Sequence, residues 1–296
     1  MNPRPPSFDR RVFLAGAGAF GLVVATGCGG DKSDGELILG AAFADGFNSE
    51  AVLISGIEQR APLVLFDADA GRPLRDNPPA TIDVELWFNG ARVSQSKLNV
   101  HDDEISTPYY PLTAKFSEPG DYEVRAAFSE LPVRFKAVPR DKVPLVQVGD
   151  PIRSVDTPTT TNPLGVTPIC TRVPSQCSLH ATSLAEVLKT NGPTALLIST
   201  PGFCQTAVCG PVLELLLSEK ANFPAIRMVH AEVYEDPQEF AQGKPNPRTT
   251  QAVKTYGMSY EPSLIVANAQ GTVTSRLDFT WDRAELKTAL QRAGGA

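Results

Sequence analysis

Two textures of hydrophobic and polar positions divide the chain. From Leu37 to about Val138, apolar residues recur at every second position. Ile82, Val84, Leu86 and Phe88 alternate with Asp83, Glu85 and Trp87, the period of a half-buried strand. Asn89-Gly90 supplies a tight hairpin turn before Val93, because both residues tolerate a left-handed backbone. The alternation resumes at Tyr122, Val124, Ala126 and Phe128 after the turn Glu118-Pro119-Gly120, and again at Val133, Phe135 and Ala137. Short strands with regular turn signals predict an all-β sandwich over 37–138.

Beyond Ser183 the pattern changes. Ser183-Leu-Ala-Glu186 reads as a capping box that opens a helix ending near Asn191-Gly192-Pro193. Thr194 to Ser199 is a continuous apolar run, as in a strand buried on both faces. Pro201 and Gly202 break it, and a Leu-rich helical pattern runs from Val212 to about Ala221. Ile226 to Tyr234 alternates as a second strand with His230 and Glu232 on one face. A polar loop over 238–247, a short helix to Tyr256, a strand from Ser263 and another through Leu277 follow. Asp282-Arg-Ala-Glu285 is a second capping box, opening a helix that carries Leu286 and Leu290.

Length and composition add organisation. The chain has 296 residues, more than one average domain, and 42% are hydrophobic, enough for packed cores. Its 26 prolines cluster partly in 139–168, which therefore reads as an extended linker after the sandwich, packed in part on a C-terminal domain over 169–296. A net charge of −6 without a basic cluster beyond the N-terminus excludes nucleic acid as a partner. His101-Asp102-Asp103-Glu104 reads as a solvated loop.

Residues 1–28 read as an address. Arg10-Arg11-Val12-Phe13-Leu14 resembles the twin-arginine export signal, and Ala15 to Thr26 is its apolar region. Ala25-Thr26-Gly27-Cys28 resembles a bacterial lipobox, in which Cys28 is acylated. These likenesses imply a protein lipid-anchored outside the cytoplasmic membrane, with 29–36 as spacer, in a compartment where disulfides persist.

With Cys28 assigned to lipid, Cys170, Cys177, Cys204 and Cys209 remain. Closeness in sequence favours pairing Cys170 with Cys177, as a structural clip, and Cys204 with Cys209. The second pair lies between a buried strand and a helix. There the helix dipole and free N–H groups favour a thiolate, which makes the pair a candidate redox centre. Four residues separate these cysteines. In a continuous helix such positions lie ~7.5 Å apart along the axis, too far for a bridge of ~4.4–6.8 Å between Cα atoms. A disulfide requires 204–208 to be a loop, with the helix starting near Pro211, which suits a first helical position.

The order of elements, with Leu197-Ile198-Ser199-Thr200-Pro201-Gly202-Phe203-Cys204 and then Tyr256-Gly257 followed by Pro262-Ser263-Leu264-Ile265-Val266, resembles the thioredoxin family over 182–294. The likeness implies an α/β thioredoxin-like C-terminal domain behind the all-β, immunoglobulin-like sandwich. It also implies that Cys204 attacks, Cys209 resolves and Pro262 is a cis-proline beside them. The function so implied is thiol–disulfide exchange with envelope proteins that carry thiols or disulfides, needing no diffusible cofactor. The sequence departs from the family in its wider cysteine spacing and in its central strand. Where members carry a buried acid, six residues before the attacking cysteine, this chain has Ile198. Glu232 or His230 could substitute, although each reads first as an ordinary half-exposed strand position. Two alternatives stay open: a redox-inert binding module with structural disulfides, and a copper- or zinc-handling protein built on the cysteines.

Overall fold

The computed structural model describes residues 36–43, 52–203, 208–245 and 247–294. The expected export signal with Arg10 and Arg11, the expected acylation position Cys28 and the cysteine Cys204 lie outside the described residues. Two compact units meet in sequence between Val143 and Pro144, and no helix among the described residues is long and apolar enough to cross a membrane.

The N-terminal unit is all β. One sheet joins β1 (Leu37–Ala41), β3 (Glu58–Asp67) and β4 (Arg72–Pro73), with β7 (Tyr110–Lys115) also paired to β3. The other runs β2 (Leu53–Ile54), β9 (Val133–Val138), β8 (Gly120–Arg125), β5 (Thr81–Phe88), β6 (Ala91–Asn99). The β5–β6 hairpin turns at Asn89 and Gly90, whose φ angles of 50° and 77° are the paired left-handed values of a type I′ turn. Phe116, just past β7, packs edge-on to Tyr122 and Phe135 of the second sheet at centroid distances of 5.2 and 5.1 Å. That aromatic cluster joins the sheets.

The C-terminal unit centres on a four-stranded sheet in the order β11 (Arg227–Ala231), β10 (Thr194–Ile198), β12 (Ser263–Ala267), β13 (Val273–Asp278). Strand β10 is parallel to β11 and antiparallel to β12. All five residues of β10 are buried, so its apolar run needs cover on both faces. Helices α2 (Cys209–Glu219) and α5 (Arg283–Gly294) supply part of it. Leu213 and Leu216 of α2, Leu286 and Leu290 of α5 and Trp281 form one core cluster with Leu197, Leu264 and Val266.

This architecture corrects the expected α/β thioredoxin-like domain. Among the described residues, strands account for 33% and helices for 18%, in several sheets that include a curled half-barrel. The sequence signal for the first helix overstates its length, which was expected to reach Asn191-Gly192-Pro193. The capping box at Ser183 closes as expected, Glu186 N–H donating to Ser183 Oγ at 3.2 Å, yet α1 (Leu184–Val187) has four residues. Helix α4 (Gln251–Tyr256) is the short helix expected to Tyr256, whereas α3 (Pro237–Ala241) runs into the segment that read as a polar loop.

Cover comes instead from the segment expected to be a linker. From Pro144 onward it belongs to the C-terminal unit. Gly149 and Ile152 N–H groups donate to Val273 and Gly271 carbonyls at 2.8 Å each, and Thr167 N–H to Glu235 O at 2.9 Å. Leu145, Val146, Val155 and Val166 are buried. A proline-rich strap can pack in this way because its remaining N–H groups find acceptors.

Candidate functional site

The register of the C-terminal sheet brings three strand ends together. Leu197 pairs with His230 and Ile198 with Ala231 across β10–β11, while Ile198 pairs with Ser263 across β10–β12. The residues that follow β10, Ser199 and Thr200, therefore lie beside His230 on one side and Glu261-Pro262 on the other.

Helix α2 begins at Cys209 rather than near Pro211. Pro211 falls within the first turn, where its missing N–H removes no helical bond. Cys209 is fully buried, and its Sγ lies 3.7 Å from Oε2 of Glu261. The same oxygen accepts the Thr200 N–H at 2.6 Å. Burial pushes the Glu261 carboxyl up to about 7, against the opposing pull of the Thr200 hydrogen bonds. The Glu261–Pro262 peptide is cis, as expected at Pro262. The pairing of Cys209 with Cys204 falls outside the described residues.

Ile198 is buried core, and the acid sought on β10 comes from β12's approach instead. Glu261 precedes the proline expected to be cis, and its one local signal in the sequence is a carboxylate at the entry to a buried strand.

Nearby, Cys170 and Cys177 converge with two histidines. The ligand atoms of Cys170, Cys177, His180 and His230 all lie within 4.8 Å of one another, and all four residues are buried. His230 Nδ1 is 3.8 Å from Cys170 Sγ, 3.6 Å from Cys177 Sγ and 3.0 Å from His180 Nε2. The far nitrogens are tied back. His180 Nδ1 lies 3.3 Å from Pro158 O, and His230 Nε2 lies 3.1 Å from Ser199 O and 3.2 Å from Ser199 Oγ. Cys177 caps the 3-10 turn Ser178–His180, so the turn delivers a thiol and an imidazole to one point while β11 delivers the other imidazole.

The structural disulfide expected between Cys170 and Cys177 is not formed; both are free thiols. Each sulfur is turned to His230, and Cys177 N–H donates to Cys170 Sγ at 3.3 Å. Within the pair, Cys170 is held low by the hydrogen bond from the Cys177 thiol and by both imidazoles. Cys177 is pushed up by that bond and by burial. Burial also lowers His230, against the opposing pull of Cys170.

Neither His230 nor Glu232 is half-exposed, as the alternation of β11 suggested; both are fully buried. Glu232 Oε1 accepts Thr171 N–H and Oγ1–H at 2.5 and 3.0 Å, and burial raises its carboxyl well above the usual range. Thr171 Oγ1 in turn accepts the Gly202 N–H at 2.9 Å. One residue thus connects the segment beside Cys170 to the loop that leads to the second cysteine pair. Gly202 is needed there, since a Cβ would sit 2.6 Å from the Thr171 carbonyl oxygen. No protein-family model matches this chain, and no curated protein sequence matches it.

Proposed function

We propose that the protein is a lipid-tethered, extracytoplasmic thiol–disulfide exchanger that acts on envelope proteins through Cys204 and Cys209, with Glu261 as proton partner of the Cys209 sulfur. One observation carries the reading: a buried carboxyl 3.7 Å from a cysteine sulfur at the start of a helix. An apolar environment and a helix N-terminus together favour a sulfur that changes protonation state during exchange. The export and lipid-attachment motifs around Arg10, Arg11 and Cys28 carry the location.

Burial of Cys209 assigns it the resolving role and leaves Cys204 to meet the partner. In the oxidised form, a partner thiolate attacks Cys204 Sγ and the Cys204–Cys209 bond breaks. Cys209 leaves as a thiolate and takes the proton of the Glu261 carboxyl. In reverse, Glu261 carboxylate accepts the Cys209 proton. The new thiolate attacks Cys204 in the mixed disulfide and the partner departs as its thiolate. Electrons balance, since one disulfide forms as one breaks.

The test is trapping with the purified full chain and a peptide disulfide. Cys209→Ser should accumulate a mixed disulfide at Cys204, and the Cys204→Ser/Cys209→Ser chain should form none. A Cys209→Ser chain that captures nothing under conditions where glutathione reacts freely would leave a redox-inert binding module.

A further inference from the structure

We propose that Cys170, Cys177, His180 and His230 form a closed tetrahedral zinc site, distinct from the pair Cys204 and Cys209. Pro158 and Ser199 offer main-chain carbonyl oxygens to His180 Nδ1 and His230 Nε2, at 3.3 and 3.1 Å. A carbonyl only accepts, so each of those nitrogens carries the hydrogen. In neutral rings the other nitrogens, His180 Nε2 and His230 Nδ1, are then both bare lone pairs. They face each other at 3.0 Å inside the core. Two lone pairs at that separation repel unless a cation lies between or beside them.

Two sulfurs complete the shell. In a Cys2His2 zinc site, Zn–N of about 2.0–2.1 Å and Zn–S of about 2.3 Å at tetrahedral angles give N···N edges of roughly 3.3 Å and S···N edges of roughly 3.6 Å. The observed 3.0 Å between nitrogens, and 3.6 and 3.8 Å from sulfur to nitrogen, sit near those edges before any ion draws them in. Charge agrees as well. Two thiolates, two neutral imidazoles and one divalent cation sum to zero, which allows full burial. The histidine–carbonyl bonds are the outer contacts that such sites use to fix ring and tautomer. No fifth position is left for a substrate, so the ion is structural.

The site has a consequence for the neighbouring loop. It pins the strap at Cys170 against β11, and Thr171, the next residue, holds both Glu232 and Gly202. The ion therefore anchors the platform on which the approach to Cys204 rests.

The test uses the full chain carrying Cys204→Ser and Cys209→Ser, so that only Cys170 and Cys177 remain to react beside the lipid-attachment position, itself replaced by Cys28→Ser. Purified without chelator, this chain should carry about one zinc, and its two thiols should resist a thiol reagent until a chelator is added. After reduction and zinc removal, cobalt(II) should restore a thiolate-to-cobalt charge-transfer band with the visible bands of a tetrahedral site. His180→Gln and, separately, His230→Gln should weaken cobalt binding by roughly tenfold or more. A reduced chain that takes up no cobalt overturns the proposal. So does cobalt binding that neither histidine variant weakens, or thiols equally reactive with and without zinc.

Discussion

Oε2 of Glu261 lies 3.7 Å from the sulfur of Cys209 and accepts the Thr200 N–H at 2.6 Å. The groups that sense this carboxyl are Cys209 on α2, Tyr234 and Glu232, the last two both pushed up in part by its charge. With the carboxyl raised to about 7 by burial, resolution of a mixed disulfide should speed up as pH rises through 7, because the carboxylate form accepts the Cys209 proton. Glu261→Gln should remove that inflection and slow resolution by about 10²-fold, the lower range for acid–base assistance. Stopped-flow release of a labelled peptide from the mixed disulfide, as a function of pH, is the measurement.

The same carboxyl has a stability signature of opposite sense. Its folded-state value is above the ordinary 4.5, so the native state binds the proton more tightly than the unfolded chain does. Stability should fall as pH rises from about 4.5 to about 7, by on the order of 3 kcal/mol, and stay low above. Glu261→Gln should flatten this slope and be the more stable chain at pH 8, as read from urea unfolding of the C-terminal unit.

Arg276 and Asp278 form a salt bridge with Nε 2.7 Å from Oδ2 and side chains exposed by only 6% and 12%. Asp278 Oδ1 also accepts Ser263 Oγ–H at 2.7 Å, and Arg276 Nη1 donates to Val146 O at 2.9 Å. Asp278→Ala strands a buried guanidinium and should cost about 3–5 kcal/mol. Paired replacement with Arg276→Met and Asp278→Leu should cost much less, which a double-mutant cycle in denaturant would resolve.

Gly202→Ala should cost about 1–3 kcal/mol, because the added methyl meets the Thr171 carbonyl at 2.6 Å. A drop of about 2–4 °C in Tm per kcal/mol is expected for a unit of this size. The same change should loosen the Gly202–Thr171 bond, and with it hydrogen-exchange protection of the Gly202 amide.

What was legible in the sequence depended on how local the cause was. The run Thr194–Ile198 announces a buried strand through its own apolar residues, and Asn89-Gly90 announces a turn through its own backbone freedom. Caps at Ser183 and Asp282 were readable as well; Glu285 N–H donates to Asp282 Oδ1 at 2.9 Å. The length of the first helix was not readable, since the cap at Ser183 marks where α1 starts but not that it stops after four residues. Nor was the meeting of Cys170 and Cys177 with His230, which lies 60 and 53 positions away. The local spacing of Cys177 and His180 carried a metal-ligand signal, but closeness in sequence pointed to a disulfide. Glu261 is not legible from the family likeness, which points to β10 at Ile198, whereas the fold delivers a buried carboxyl from just before β12.

The reduction potential of Cys204 and Cys209 separates an exchanging pair from a structural staple. Equilibration of the full chain with glutathione or dithiothreitol buffers, with Cys204 and Cys209 quantified by differential alkylation and mass spectrometry, gives the value. An exchanging pair should lie above about −300 mV, within reach of envelope thiols. A potential well below that value would mark the pair as a structural staple and contradict the account.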